Sequence, residues 1–242
     1  MRGPALLAPA LLAALALLAS CAGGDEDLVA RAIVSQVPWT APETAHYEIT
    51  KDNDVQGACD LTVAEEQPDL VLTQDCRGGD FNDKVTMRVE PGTLKPRRVD
   101  RVIEGPKGAV QCQATYEGSA VKVVWTSGND RREGSLDVAS PSYDSWSDLF
   151  LWRTIAFSEG LEERYTDVGS CIQQRSEPKL VGVRLDVKGR EQIEVPAGTF
   201  DVWRLEVRSE GHIQKAWYAT GEGRVLVRYD NGSQVFELQS LD

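Results

Sequence analysis

The sequence predicts a mainly β protein: a single strongly curved antiparallel sheet, a half-barrel, with one apolar helix packed in or across its concave face. Three observations carry that prediction. From Ala45 onward the chain is filled with short runs that alternate apolar and polar residues, the period of a half-buried strand. Turn signals such as Pro91-Gly92, Ser127-Gly128-Asn129-Asp130 and Asn231-Gly232 separate those runs. One stretch alone, Trp146 to Phe157, is apolar round nearly its whole circumference, and a helix of that kind must be enclosed. With 242 residues, 41% of them apolar, the chain is long enough to bury a core large enough to do so.

The chain begins with Arg2 and an apolar run from Pro4 to Ala19 that carries two prolines. At 16 residues the run is short for a membrane span, which needs about 20. A positive start, a short apolar stretch and small residues at its end describe a secretory signal over residues 1–20. The closing Leu18-Ala19-Ser20-Cys21 resembles the lipobox of bacterial lipoproteins. That resemblance implies cleavage after Ser20, a diacylglyceryl thioether on Cys21 and attachment to a membrane through its acyl chains. Ala22 in place of an Asp implies the outer membrane, facing the periplasm. Loss of Arg2 takes the formal charge from −12 to −13, so the acyl chains, not anionic lipid, must do the holding. The same acidity excludes nucleic acid as a partner, because phosphate binding needs a basic stripe.

Residues 21–44 read as a lipidated N-terminus and tether (AGGDED), with a short helix expected over Leu28–Val37. The half-barrel domain is expected over residues 45–242. Its candidate strands are Ala45–Lys51, Val55–Val63, Leu70–Cys76, Lys84–Glu90, Arg97–Glu104, Ala109–Tyr116 and Ala120–Trp125. After the helix come Leu161–Cys171, Leu180–Val187, Glu191–Val195, Phe200–Arg208, Ile213–Ala219, Arg224–Tyr229 and Gln234–Leu238. Ser145-Trp146-Ser147-Asp148 is a capping box for the helix and Gly160 its stop. Pro196-Ala197-Gly198 reads as a hairpin loop. The change of parity at Val202-Trp203 predicts a β-bulge. Asn231-Gly232 suits a type I′ turn that would place Val227 opposite Phe236 and Val225 opposite Leu238.

Four cysteines remain beyond Cys21: Cys59, Cys76, Cys112 and Cys171. In an exported protein an even number reads as disulfides, and the spacings offer no zinc pattern. A turn centred between Gln67 and Pro68 sets Cys59 opposite Cys76, Leu61 opposite Gln74 and Val63 opposite Leu72. Directly opposed residues lie at about 5 Å, within disulfide range. Cys112 is then left for Cys171.

Signals for chemistry are sparse. The two histidines, His46 and His212, belong to no nucleophile motif, so no catalytic residue is assigned. Asp52-Asn53-Asp54 begins like a calcium loop, but the twelfth position is Val63, so a polar hairpin turn is expected and no metal or other cofactor. Asn231-Gly232-Ser233 is formally a sequon and reads as a turn. Arg153 lies in line with Phe150 on the apolar helix, where a charge must be paired or reach water. It is either a structural ion pair or a cation for the acidic headgroup of a cavity ligand. Phe150, Trp152, Trp203 and Trp217 complete the candidate ligand-binding set, each also readable as core.

The segments Val195–Glu206 (VPAGTFDVWRLE) and Ala216–Val225 (AWYATGEGRV) resemble the close of an exported bacterial family called domain of unknown function 3108. Tyr47-Glu48-Ile49, Leu94-Lys95-Pro96-Arg97 and Leu149–Arg153 fit the same pattern in order, so the resemblance spans about Ala45 to Leu238. It implies a curved half-barrel similar to the lipoprotein carriers LolA and LolB, which hold acyl chains, and no established reaction. The expected function is a lipid-anchored envelope protein, not an enzyme, that binds an apolar or amphiphilic ligand in its half-barrel. The alternative is an accessory envelope lipoprotein whose helix fills the cavity and whose outer face binds a protein partner. The first predicts an open apolar pocket, the second none.

Overall fold

A computed structural model describes residues 26–172 and 177–242. Residues 1–20, read above as a signal, and Cys21 lie outside them. Fifteen strands follow in chain order: β1 (Glu43–Lys51), β2 (Asp54–Glu66), β3 (Asp69–Gly78), β4 (Phe81–Val89), β5 (Pro96–Gly105), β6 (Gly108–Glu117), β7 (Ala120–Ser127), β8 (Asp130–Asp137), β9 (Tyr143–Asp144), β10 (Glu162–Gly169), β11 (Lys179–Val195), β12 (Gly198–Ser209), β13 (His212–Ala219), β14 (Leu226–Asp230) and β15 (Val235–Leu241). They form one sheet in the order β8-β7-β6-β5-β4-β3-β2-β1-β15-β14-β13-β12-β11-β10-β9. Every pairing is antiparallel except the short parallel contact of β9 with β10. The sheet curls but does not close, as the alternation of the sequence predicts. Its concave face holds the core: Tyr47 and Ile49 on β1, Leu61 and Val63 on β2, Val85 and Met87 on β4, Val183 and Leu185 on β11, all buried.

Turn chemistry sets the registers. Asp52 and Asn53, with φ of 52° and 70°, make the two-residue hairpin between β1 and β2, the polar turn expected there. β2 and β3 pair as predicted, Cys59 with Cys76, Leu61 with Gln74 and Val63 with Leu72. Cys59–Cys76 and Cys112–Cys171 are disulfides, the second tying β6 to the segment after β10. Where that hairpin reaches the sheet's open end, Gly57 and Gly78 approach so closely that a Cβ on Gly57 would sit 2.0 Å from the Arg77 carbonyl oxygen.

Several expectations are corrected. Leu28–Val37 is not helical: residues 26–40 form an extended strap whose backbone bonds go to tertiary partners. Ile33 N donates to the Tyr143 hydroxyl (3.1 Å), and Ser35 N and Gln36 N both donate to the Thr154 carbonyl (2.9 and 3.0 Å). The helix is a single α turn, α1 (Asp148–Leu151), between two 3-10 turns, Ser145–Ser147 and Trp152–Thr154. The expected capping box does not form: Asp144, not Ser145, provides the side-chain cap, accepting from Trp146 N at 3.0 Å at the start of the first 3-10 turn. The body stops early because the strap takes the Thr154 carbonyl and the Thr154 hydroxyl takes the Leu151 carbonyl (2.7 Å).

The remaining corrections concern strands. The bulge lies on β11, where Val187 pairs with Leu205 but Gly189 with Arg204. β12 runs unbroken against β13, and the parity change at Val202-Trp203 reflects burial on both faces of the sheet. The last hairpin turns about Gly232-Ser233, with Asn231 N donating to the Gln234 carbonyl (3.1 Å). Tyr229, not Val227, therefore faces Phe236. Gly232 alone takes positive φ in that turn, the II′ pattern, because the Asn231 side chain binds Ser233 N and Gln234 N. β8 was not anticipated at all. Its residues, DRREGSLD, carry almost no apolar alternation because β8 is an edge of the sheet, where charge blocks further pairing.

Candidate functional site

Beside α1, the concave face is not filled. A cavity of about 710 Å³ lies between the helix and the sheet. Its apolar wall is built by Ile49 and Phe236, a cross-strand pair of β1 and β15, with Tyr229, Val181, Leu149 and Trp152. Tyr229 meets Phe236 edge-on at 5.5 Å. The outer end is ringed by residues beside four hairpin turns: Gln56, Gly78 and Phe81, Ser209 to His212, and Asn231 with Gln234. That ring is rich in side-chain amides, and Gln74 and Gln214 line the cavity alongside its apolar wall. The arrangement suits an amphiphile.

The inner end is acidic. Asp148 on α1 and Asp167 on β10 both line the cavity. Trp152 Nε1 donates to the Tyr165 hydroxyl (2.6 Å), which in turn donates to Asp148 Oδ1 (2.7 Å). Asp167 lies against Asp148 and Ser145, yet neither of its oxygens has a hydrogen-bond partner of normal geometry. Behind them Asp144 accepts from Tyr116 (2.6 Å), Ser170 (2.5 Å) and Trp146 N (3.0 Å). Burial pushes the Asp148 carboxyl up to about 7, against the pull of its hydrogen bonds. Burial, and then the charge of Asp148, holds Asp167 well above the usual carboxylate range. The titration of each group depends on the charge of the other. Burial also raises Asp144, offset by its three donors.

Of the candidate ligand-binding residues named from the sequence, the structure brings only Trp152 to this cavity. Phe150 is buried in the core behind it. Arg153 is 4% exposed and pairs with Glu43 (Nη1 to Oε1, 2.6 Å), donates to the Gly223 carbonyl and lies over the Trp39 ring at 5.1 Å. It is the structural ion pair, fastening the helix to β1 and the strap. Trp203 stacks on Phe157 at 5.9 Å, with the Arg190 guanidinium 4.3 Å from its ring. Trp217 donates to Glu191 (2.5 Å) and sits beside Arg228. Asp148 and Asp167 were missed as site residues. A carboxylate at an inward strand position, as Asp167 is between Tyr165 and Val168, was the available signal. Among the described residues no group of three His, Cys, Asp or Glu side chains is placed to hold a metal ion.

A family model for proteins of unknown function, DUF3108, matches residues 45–239. The chain belongs to that family. No curated protein matches it. Among solved structures, the β-barrel-like protein of domain of unknown function DUF1849 from Brucella abortus is similar with a TM-score of 0.54 at 11% identity, covering 83% of this chain and 97% of its own. A putative exported protein with a YmcC-like fold from Bacteroides fragilis aligns at 9% identity over 88% of this chain and all of its own, with a TM-score of 0.31. At such identity the Brucella protein shows the barrel-like fold alone. The DUF3108 family assigns no reaction.

Proposed function

We propose that this DUF3108 protein binds an apolar or amphiphilic ligand in the concave cavity, without catalysis, while anchored to the cell envelope through acyl chains on Cys21. The observation that carries the reading is the cavity itself: about 710 Å³ beside the helix, with an apolar wall of Ile49, Phe236, Val181, Leu149 and Trp152 and polar side chains around it. That volume is within the range of small-molecule sites, roughly 300–1,000 Å³. A helix that filled the half-barrel would leave no such space, so the ligand reading is preferred to an accessory role on the outer face. The anchor rests on the lipobox-like Leu18–Cys21 and on the acidic body, which has no electrostatic hold on anionic lipid. The outer membrane follows from Ala22 in the same way.

The test is titration with N-phenyl-1-naphthylamine, an apolar dye that brightens on leaving water. Saturable binding to the domain without Cys21 is expected, lost when Ile49→Trp fills the wall. Failure to saturate, or equal binding to Ile49→Trp, contradicts the reading. Labelled palmitate incorporated into the wild type and not into Cys21→Ala tests the anchor.

A further inference from the structure

Two buried carboxyl groups, one at the inner end of the cavity and one behind it, are treated differently by the protein. Asp144, which does not line the cavity, receives a donor for each of its needs: Tyr116, Ser170 and Trp146 N. Asp167 is 1% exposed, lines the cavity, and has no partner of normal geometry on either oxygen. Leaving a buried acceptor unmade costs about 1–3 kcal/mol, more when it is charged, so such a group calls for a partner. Asp148, beside it, has one oxygen engaged by Tyr165.

Charge points the same way. Arg77 at the mouth is bonded to Asp60. Asp83 is paired with Arg101 at 2.6 Å, and Glu210 with Lys179. His212 stands at the outer end. Among the described lining residues, Asp148 and Asp167 are the carboxyl groups with no cation against them. A ligand group that satisfied both would donate hydrogen bonds and carry positive charge.

We propose that the ligand of this cavity is an amphiphilic amine, whose ammonium group is received by Asp148 and Asp167 while its apolar body lies against Ile49, Phe236 and Trp152. The inference rests on the ligand-binding reading above. Without ligand both carboxyl groups hold their protons below about pH 7, and the ammonium takes the place of one of them, the other staying on its carboxyl. Binding therefore releases a proton to solvent while no bond of the ligand breaks.

The experiment titrates the domain with decylammonium, decanol and decanoate at about pH 8, followed by the fluorescence of Trp146 and Trp152. Decylammonium is expected to bind at least about tenfold tighter than decanol, and decanoate weakest. Asp167→Asn and Asp148→Asn should each collapse that preference while decanol binding stays. Calorimetry of the wild type at about pH 6, in buffers of different ionisation enthalpy, should show proton release with decylammonium and none with decanol. This readout needs no variant to fold. Equal binding of decylammonium and decanol, or a preference that survives both substitutions, overturns the amine inference but leaves the cavity reading standing. Saturable binding of none of the three overturns both.

Discussion

Arg153 and Asp148 are five positions apart on one short helical segment, and the chain solves their burial in opposite ways. Arg153 is neutralised from within by Glu43, which is itself largely buried. Breaking a buried pair from one side leaves the other charge stranded, so Arg153→Met should lower stability by about 3–5 kcal/mol in urea unfolding, and Glu43→Gln in that background should recover part of the loss. Asp148 has no cation. Its proton is held more tightly in the folded state than in the unfolded chain, so its contribution favours folding while protonated. That contribution is lost as pH rises from about 3.8 towards about 7. His46, raised by its bonds to Asp60 and Asp242, adds a fall as pH climbs beyond 6.5. Asp148→Asn should therefore raise the thermal midpoint at neutral pH and flatten its slope below pH 7, about 2–4 °C for each kcal/mol removed. A midpoint that drops at neutral pH would show the carboxylate to be stabilising. From the sequence, Arg153 could be narrowed to two roles but not decided, because Glu43 and Gly223 are brought to it only by the fold.

At the scale of elements, the hairpins whose turns impose one register were legible. The β2–β3 pairing follows from Gln67-Pro68 and the alternation on either side, and with it the Cys59–Cys76 bridge. The Asn231 hairpin was displaced by one residue on each strand because a side-chain amide, not a backbone pair, organises the turn. The helix was overread for a related reason. An apolar sequence reports enclosure, not helix length, and the strap that ends the helix at Thr154 carried no periodicity to announce it. The two disulfides constrain different loops, with separations of 17 and 59 residues. Chain entropy then assigns about 3 kcal/mol to the first and about 4 kcal/mol to the second. In denaturant unfolding Cys112→Ser/Cys171→Ser should cost more than Cys59→Ser/Cys76→Ser. The reverse order would mean that local geometry in the β2–β3 hairpin outweighs loop length.

For the whole molecule, the curved sheet was readable because alternation, turn spacing and one enclosed apolar segment all demand it. The cavity was not. It depends on how far α1 fills the concave face, which is set by the strap, the Arg153–Glu43 pair and the Arg101 guanidinium. Arg101 binds Asp83 (2.6 Å) and the Cys171 carbonyl (2.6 Å) and lies over Trp146 at 4.5 Å. These contacts join residues far apart in sequence, and they hold the helical segment at the inner end of the half-barrel, with the cavity between it and the hairpin turns. The acidic inner end was hidden for the same reason, since Asp148 reads as a capping residue and Asp167 as one charge in a strand. The most direct test of the account is native mass spectrometry of the domain without Cys21, purified from a periplasm, with organic extraction of what it carries. A co-purifying amphiphile, absent from Ile49→Trp prepared in parallel, is the predicted result. A clean apo mass for both proteins, unchanged after incubation with membrane lipid extract, would contradict it.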